Sequence, residues 1–354
     1  MVQELLQPYT AEEVSKALSQ MAPLKSPGPD GMPPFFFQKY WPIVGHDVVS
    51  NTLALLNELA LPSDLNHTHI VLIPKCRKLE FLTQFRPISL CNVAYKIASK
   101  TIANRLKPLL DVIISPSQTA FVPGRLITEN VLLAFEVNHF LKTKKWGKKG
   151  HMALKLDISK AYDKVEWKFL AKVLCRLGFP PKFIDLIMLC VSSVSYSFIL
   201  SGSQFGSVTP QRSLRQGDPL SPYLFLMCTE AFSALLQKEE RSGRLQGVAE
   251  CRQAPRVSHL LFADDTLIFC QATAEAAMCI LEVLDTFGRA AGQEINFDKS
   301  SAVFSKNTSF LVRDVIQGIL HMRIEDSHDL YLGLPSMVGK SRRSVFQSIR
   351  DRIW

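Results

Sequence analysis

The chain has 354 residues, 47% hydrophobic and 21% charged, which excludes a disordered or low-complexity protein and leaves apolar mass for two or three subdomains. Lys and Arg number 41 against 32 Asp and Glu, a formal charge of +9 that favours polyanionic partners. The eight cysteines, from Cys76 to Cys279, form no Cys-x-x-Cys pair, so no disulfide framework or zinc ribbon is indicated and a reducing intracellular compartment is implied.

From the N-terminus, Met1-Val2-Gln3-Glu4 lacks the basic start and apolar core of a signal peptide. Thr10-Ala11-Glu12-Glu13 is a capping-box signature for a helix carrying Val14, Ala17, Leu18 and Met21. Ser26-Pro27-Gly28-Pro29-Asp30-Gly31 breaks it, and an aromatic run (Phe35 to Phe37) and a helix over Val48 to Leu59 follow. His67-Thr68-His69, the sole close histidine pair in the sequence, has no Cys or acid beside it and reads as strand surface rather than zinc site. A strand is expected over Ile70 to Ile73, then helices near Ala94 to Leu110 and Thr128 to Leu141. His151 to Asp157 alternates Met152, Leu154 and Leu156 with Ala153, Lys155 and Asp157, the period of a strand with one buried face. The next helix places Val165, Phe169, Val173 and Leu177 on one side and is stopped by Gly178 and Pro180-Pro181. Phe183 to Leu200 is apolar but interrupted by Asp185 and several serines, so it reads as helix then strand and not as a membrane span. A further apolar helix runs from Tyr223 through Leu236, and Ser309 to Leu320 and Ser341 to Trp354 carry helical patterns.

Three elements carry chemistry. Phe262-Ala263-Asp264-Asp265 lies between Leu260-Leu261 and Thr266 to Phe269 and reads as a tight hairpin with two adjacent carboxylates at its tip. Such a pair either closes a surface turn, where Asp is common, or holds a multivalent cation that offsets its repulsion. Asp157, at a strand end, either caps the next helix or joins those two acids. Leu214-Arg215-Gln216-Gly217-Asp218-Pro219-Leu220-Ser221-Pro222 is a polar turn leading into a helix. Lys142 to Lys149, with Trp146 interleaved, and Lys340-Ser341-Arg342-Arg343 are basic runs that read either as solvated loops or as nucleic-acid contacts.

Phe85-Arg86-Pro87-Ile88-Ser89-Leu90-Cys91-Asn92, Phe121-Val122-Pro123-Gly124-Arg125, Leu156 to Asp163, Arg215 to Pro222, Phe262 to Asp265 and Tyr331-Leu332-Gly333-Leu334-Pro335 follow one another in an order that resembles the reverse transcriptases of non-LTR (LINE-type) retrotransposons, the plant members above all. The resemblance spans nearly the whole chain. It implies an α+β right-hand polymerase fold with an antiparallel palm sheet, fingers and an incomplete helical thumb. It divides the chain into an N-terminal extension (1–66), fingers (67–150), palm (151–305) and the start of a truncated thumb (306–354).

By the same resemblance, Asp157 and Asp264 bridge two Mg²⁺ ions, with Mn²⁺ as a substitute, assisted by Asp265 and the Ile158 carbonyl. Carboxylate oxygens are the donors such hard cations take. Tyr162 is implied as a gate that clashes with a ribose 2′-hydroxyl, against its alternative as a core tyrosine. Lys75 and Arg86 are implied as triphosphate clamps, Gln216 and Gly217 as nucleotide contacts, and Lys299 as the acid that protonates departing pyrophosphate. Arg125, Arg215, Lys340, Arg342 and Arg343 are implied as nucleic-acid contacts. Ser213 stands where relatives carry Gly. The implied partners are an RNA template, a DNA primer and deoxynucleoside triphosphates, with no membrane. An RNA-directed DNA polymerase is therefore expected. The alternative is a catalytically silent nucleic-acid-binding remnant of a retroelement polyprotein, and an RNA-dependent RNA polymerase is disfavoured by Tyr162.

Overall fold

The computed structural model describes residues 2–62, 64–76, 78, 80–251, 253–328 and 330–335. Its strands are β1 (His67–Pro74), β2 (Phe85–Cys91), β3 (His151–Leu156), β4 (Ile158–Ser159), β5 (Ser195–Leu200), β6 (Ser203–Val208), β7 (His259–Phe262), β8 (Asp265–Gln271), β9 (Glu294–Ile295), β10 (Ser301–Phe304), β11 (Arg323–Glu325), β12 (Leu330–Tyr331) and β13 (Leu334–Pro335). The helices are α1 (Val2–Leu6), α2 (Ala11–Ser19), α3 (Pro34–Lys39), α4 (Trp41–Glu58), α5 (Val93–Leu106), α6 (Leu110–Ile113), α7 (Ile127–Thr143), α8 (Trp167–Arg176), α9 (Pro181–Ser192), α10 (Ser221–Arg241), α11 (Ala274–Ala291) and α12 (Phe310–Leu320). They form two compact units, each drawn from two separated stretches: 1–113 with 162–228, and 114–161 with 229–354.

In the first unit the capping box forms as expected. The Thr10 hydroxyl accepts from the Glu13 amide, and Glu13 Oε2 accepts from the Thr10 amide. That start turns Val14, Ala17 and Leu18 inward, where they pack with Phe37 against Val93 and Ile97 of α5. Helix α4 begins seven residues before the expected Val48, because Pro42 fits the first turn of a helix. The sheet has the order β2-β1-β5-β6, with β1 antiparallel to β2 and parallel to β5. Ser201 and Gly202, both at positive φ, close the β5–β6 hairpin, the backbone a two-residue turn needs to match strand twist. His67 hydrogen-bonds the Ser195 and Ser197 hydroxyls at 2.8 and 3.0 Å, so the histidine pair is strand structure. Helix α8 buries Leu170, Val173 and Leu174 with Phe169 and Leu177 half-buried beside them, while Val165, also buried, precedes the helix, which starts at Trp167.

The second unit is built on the sheet β11-β10-β3-β8-β7. Strand β3 is antiparallel to β8 and β10, and β10 is parallel to β11. Met152, Ala153 and Leu154 are all fully buried, so β3 is covered on both faces and not on one, as a central strand must be. One face packs Ala153, Leu260, Leu267 and Phe269 against Ala134, Val137 and Leu141 of α7. The outer edge of β7 is paired too: the Leu261 amide donates to the Ser117 carbonyl, and the Thr119 amide donates to the Leu261 carbonyl. Among the described residues no helix is long and apolar enough to cross a membrane, and 183–200 is helix then strand as expected. The helical pattern of 341–354 lies outside the described residues.

Gly28, in the loop that ends the N-terminal helical segment, abuts the backbone of Cys91 and Asn92. A Cβ there would sit 2.3 Å from the Asn92 nitrogen and 2.4 Å from the Cys91 carbonyl carbon, and backbone cannot swing aside. Gly28→Ala is therefore expected to lower unfolding stability by about 1–3 kcal/mol. Urea denaturation measures it, and an unchanged midpoint overturns the close approach.

Candidate active site

The β3–β8 ladder ends with Leu156 paired to Thr266. Its continuation sets Asp157 opposite Asp265, while Asp265 also pairs with Phe262 across the hairpin. Two separated sequence segments thus bring three acids to one sheet end. The electrostatics agree. Partial burial raises the Asp265 pKa above its ordinary carboxylate value, the charges of Asp264 and Asp157 raise it further, and Lys155 opposes them. Asp264 and Asp265 remain exposed and Asp157 half-buried. Among the described residues no group of three or more His, Cys, Asp or Glu side chains is placed so that it could hold a metal ion.

Backbone contacts hold this edge. The Asp157 amide donates to Ser300 Oγ at 3.1 Å, and the Asn296 amide donates to the Asp157 carbonyl at 2.8 Å. The Ser300 hydroxyl in turn donates to the Asn296 carbonyl. Ile158 pairs with Ile295 in the small β4–β9 ribbon. Lys299, in the Asn296–Ser300 turn, is exposed and its amide donates to Asn296. In the hairpin tip, Ala263 takes a left-handed φ of 54° and is buried. Such a conformation is costly for a residue with a Cβ and persists when its surroundings fix it. Here Gln118 Oε1 accepts from the Ala263 amide at 3.2 Å. Gln118, Asn296, Ser300 and Lys155 were not among the expected site residues. The segment Asn296 to Ser300 drew attention only for its lysine, and no local pattern announces Gln118.

Two expected nucleic-acid contacts are corrected. Arg125 donates to the carbonyls of Ile114, Ser115 and Gln118 at 2.6 to 2.8 Å. Its guanidinium thus fixes the segment that carries Gln118. Arg215 is buried: it pairs with Asp218 at 2.8 Å, donates to Asn66, Thr68 and the Cys190 carbonyl, and lies 4.1 Å over the Tyr95 ring. A planar fork that satisfies so many acceptors is a core fixture of the first unit.

The other expected residues of the first unit fall as follows. Lys75 and Arg86 are exposed. The β1–β2 register pairs Ile73 with Arg86 and the Lys75 amide donates to Gln84, so strand alternation puts both cations on one face. Lys75 Nζ also donates to the Thr83 carbonyl at 3.0 Å. Tyr162 stacks on Phe225 with centroids 4.7 Å apart and planes at 16°. Its carbonyl accepts from the Leu214 amide. Gln216 is half-buried and its carbonyl accepts from Ser89, while Gly217 has φ 109° and would bring a Cβ 3.1 Å from the Ser89 carbonyl oxygen. Ser213 has φ 104°, a glycine-favouring backbone. Lys340, Arg342 and Arg343 lie outside the described residues.

A profile of the family described as reverse transcriptase (RNA-dependent DNA polymerase) matches residues 73–326. The chain belongs to the reverse transcriptase family. It is 32% identical over 296 residues to the transposon TX1 uncharacterized 149 kDa protein of Xenopus laevis, covering 84% of this chain and 22% of that protein. Over 311 residues it is 24% identical to the Pol polyprotein of the type-1 retrotransposable element R2 of Popillia japonica, covering 84% of this chain and 39% of that protein. A 69-residue stretch is 56% identical to an uncharacterized mitochondrial protein of Arabidopsis thaliana, covering 20% of this chain and 57% of that protein. These relatives make it a reverse transcriptase of the non-LTR retrotransposon type, of mixed α and β architecture. The chain spans well under two thirds of each of these proteins.

The raised Asp265 pKa means that the folded reverse transcriptase holds this proton more firmly than the unfolded chain does, so ionisation at neutral pH opposes folding. Asp265→Asn is expected to melt a few degrees higher than the parent at pH 7. The gain should fade as pH falls below the unfolded carboxylate range, where both states are protonated. Melting curves across pH check it, and a gain absent at pH 7 overturns the account of crowded like charges.

Proposed function

We propose that this domain extends a DNA primer on an RNA template, with Asp157 and Asp264 as the metal-holding acids. The observation that carries the reading is the ladder that continues from Leu156 and Thr266 to set Asp157 beside the Asp264-Asp265 hairpin. Their donors are hard carboxylate oxygens under mutual repulsion, a set that suits Mg²⁺ or Mn²⁺. When bound, two such ions activate the primer 3′-oxygen and neutralise charge on the leaving pyrophosphate. Asp157 and Asp264 bind them, with the Ile158 carbonyl as an added ligand and Asp265 tuning the charge of the edge. Asn296, Ser300 and Gln118 orient these acids through the backbone.

In the same reading, Lys75 and Arg86 grip the triphosphate of an incoming deoxynucleotide, and Gln216 and Gly217 line its approach. The Tyr162 ring, braced by Phe225, excludes a 2′-hydroxyl. Lys299 donates the proton that the departing pyrophosphate takes, and Lys340, Arg342 and Arg343 contact the nucleic-acid backbone. The divisions 1–66, 67–150, 151–305 and 306–354 serve as extension, fingers, palm and thumb. Eight free cysteines suit a reducing intracellular compartment.

Primer extension on poly-rA with deoxythymidine triphosphate and Mg²⁺ tests the central assignment. Asp264→Asn is expected to lose at least about a hundredfold in rate, beyond the 10–100-fold typical of groups that only support a ligand. It should also lose any Mg²⁺-dependent rise in melting temperature while remaining folded. Extension near the parent rate refutes the role of Asp264. Separately, Tyr162→Ala is expected to relax discrimination against ribonucleotides by about tenfold or more. Unchanged ratios of kcat/KM for ribo- and deoxynucleotides remove Tyr162 from that role.

A further inference from the structure

At the other end of β3 from the acids, the chain enters the strand through Lys144-Lys145-Trp146-Gly147-Lys148-Lys149-Gly150. Six residues of strand separate this loop from Asp157, about 20 Å along the sheet. Lys145, Lys148 and Lys149 are exposed, and Trp146 is 87% exposed. Large aromatic rings are rarely left so open unless a partner uses them. None of these residues takes part in the chemistry proposed above.

A lysine run is ordinarily a mobile, solvated loop, but this one is pinned. The Asn307 amide nitrogen donates to the carbonyls of Gly147 and Lys149 at 2.8 and 2.9 Å and approaches that of Trp146 at 3.4 Å. The Ser305 hydroxyl donates to Asn307 Oδ1 at 2.7 Å and so orients the amide. The Asn307 amide proton goes to the Lys144 carbonyl, and the Ala272 amide donates to the Gly150 carbonyl. Gly147 has φ 104°, and a Cβ on Gly150 would fall 2.4 Å from Thr308 Oγ1. The loop backbone is therefore set before any ligand arrives, and its cations and indole project from a fixed frame.

Lys142, Lys306 and Arg313 line a cavity of about 370 Å³ together with Glu325 and Asp326. Asn138, 4% exposed, also lines it, and neither polar atom of its side chain has a hydrogen-bond partner among the described residues. A buried amide left without hydrogen bonds costs free energy that a polar ligand can recover.

We propose that the Lys144–Gly150 loop is a binding site for single-stranded nucleic acid, separate from the catalytic acids, in which Trp146 stacks on an unpaired base and Lys145, Lys148 and Lys149 contact successive phosphates. An aromatic face among cations on one ordered backbone is the combination that single strands recognise, without reading sequence. Duplexes, whose bases are already stacked, offer no face to the indole. The site serves to retain a strand while chemistry proceeds elsewhere, and it does not require the polymerase assignment to hold.

The experiment uses the full chain carrying Asp264→Asn, in EDTA, with a fluorescein-labelled 20-nucleotide oligo-U read by anisotropy and by quenching of tryptophan emission. Neither readout needs extension, so failure of the polymerase reading leaves this test intact. Trp146→Ala is expected to weaken binding about five- to a hundredfold, and Trp146→Phe to remove most of the quenching while retaining affinity. Lys145→Gln, Lys148→Gln and Lys149→Gln together should lower the slope of log affinity against log salt by about 2, at about 0.7 per lost phosphate contact. Asn307→Ala, which keeps every charge, should weaken binding with the salt slope unchanged. Equal melting temperatures establish that the variants fold. Affinity, quenching and slope all unchanged in these variants overturn the proposal, as does binding of this loop to anionic phospholipid vesicles with no change in oligo-U binding.

Discussion

The pairing of β3 with β8 is the constraint on which the second unit depends. Six consecutive partners, from His151 with Gln271 to Leu156 with Thr266, fix the register, and a slip of one residue would turn every side chain of β3 over. Because Met152, Ala153 and Leu154 are buried on both faces, hydrophobic burial sets that register firmly. The same ladder then has no choice about where Asp157 goes. Apolar packing in the middle of the sheet holds at its end three acids that repel one another. Folding energy of the core is thereby converted into charge density at an exposed edge, which is what a site for hard cations requires.

That edge is held mostly through the backbone, and this explains why the acids stay available. Asn296 and Ser300 engage the amide and carbonyl of Asp157, and Gln118 engages the amide of Ala263. Arg125 extends the arrangement outward, since its three carbonyl contacts fix the segment 114–118 that bears Gln118. The strain of an alanine at φ 54° is tolerable only inside such a network.

Much of this was legible in the residues themselves. Alternation marked β3, the short apolar runs around Asp264-Asp265 marked the hairpin, and Thr10 with Glu13 marked the start of α2. Each is a local pattern with a local cause. What sequence did not reveal depended on distant partners. Double-sided burial of β3 reflects neighbours on both faces, which one-dimensional alternation cannot report. Val165 precedes α8 and belongs to the turn, where its carbonyl accepts from the Ser213 amide. Gln118 has no signature, because its role is defined by an amide 145 residues away.

The misplacement of Arg125 and Arg215 has a more general cause. A net charge of +9 counts every cation alike, yet the structure sorts them by chemistry. Arginine presents five donors in a rigid plane and is weakly hydrated, so it can enter the protein wherever carbonyls and carboxylates converge. Arg105 does so with Glu13 and the Gln7 and Pro8 carbonyls, and Arg215 with Asp218 and its neighbours. Lysine, a strongly hydrated point charge, stays exposed at 145, 148 and 149, whereas Lys96 is buried with its ammonium on the Ser26 carbonyl. An arginine inside a family motif is therefore as apt to build the frame as to touch the substrate.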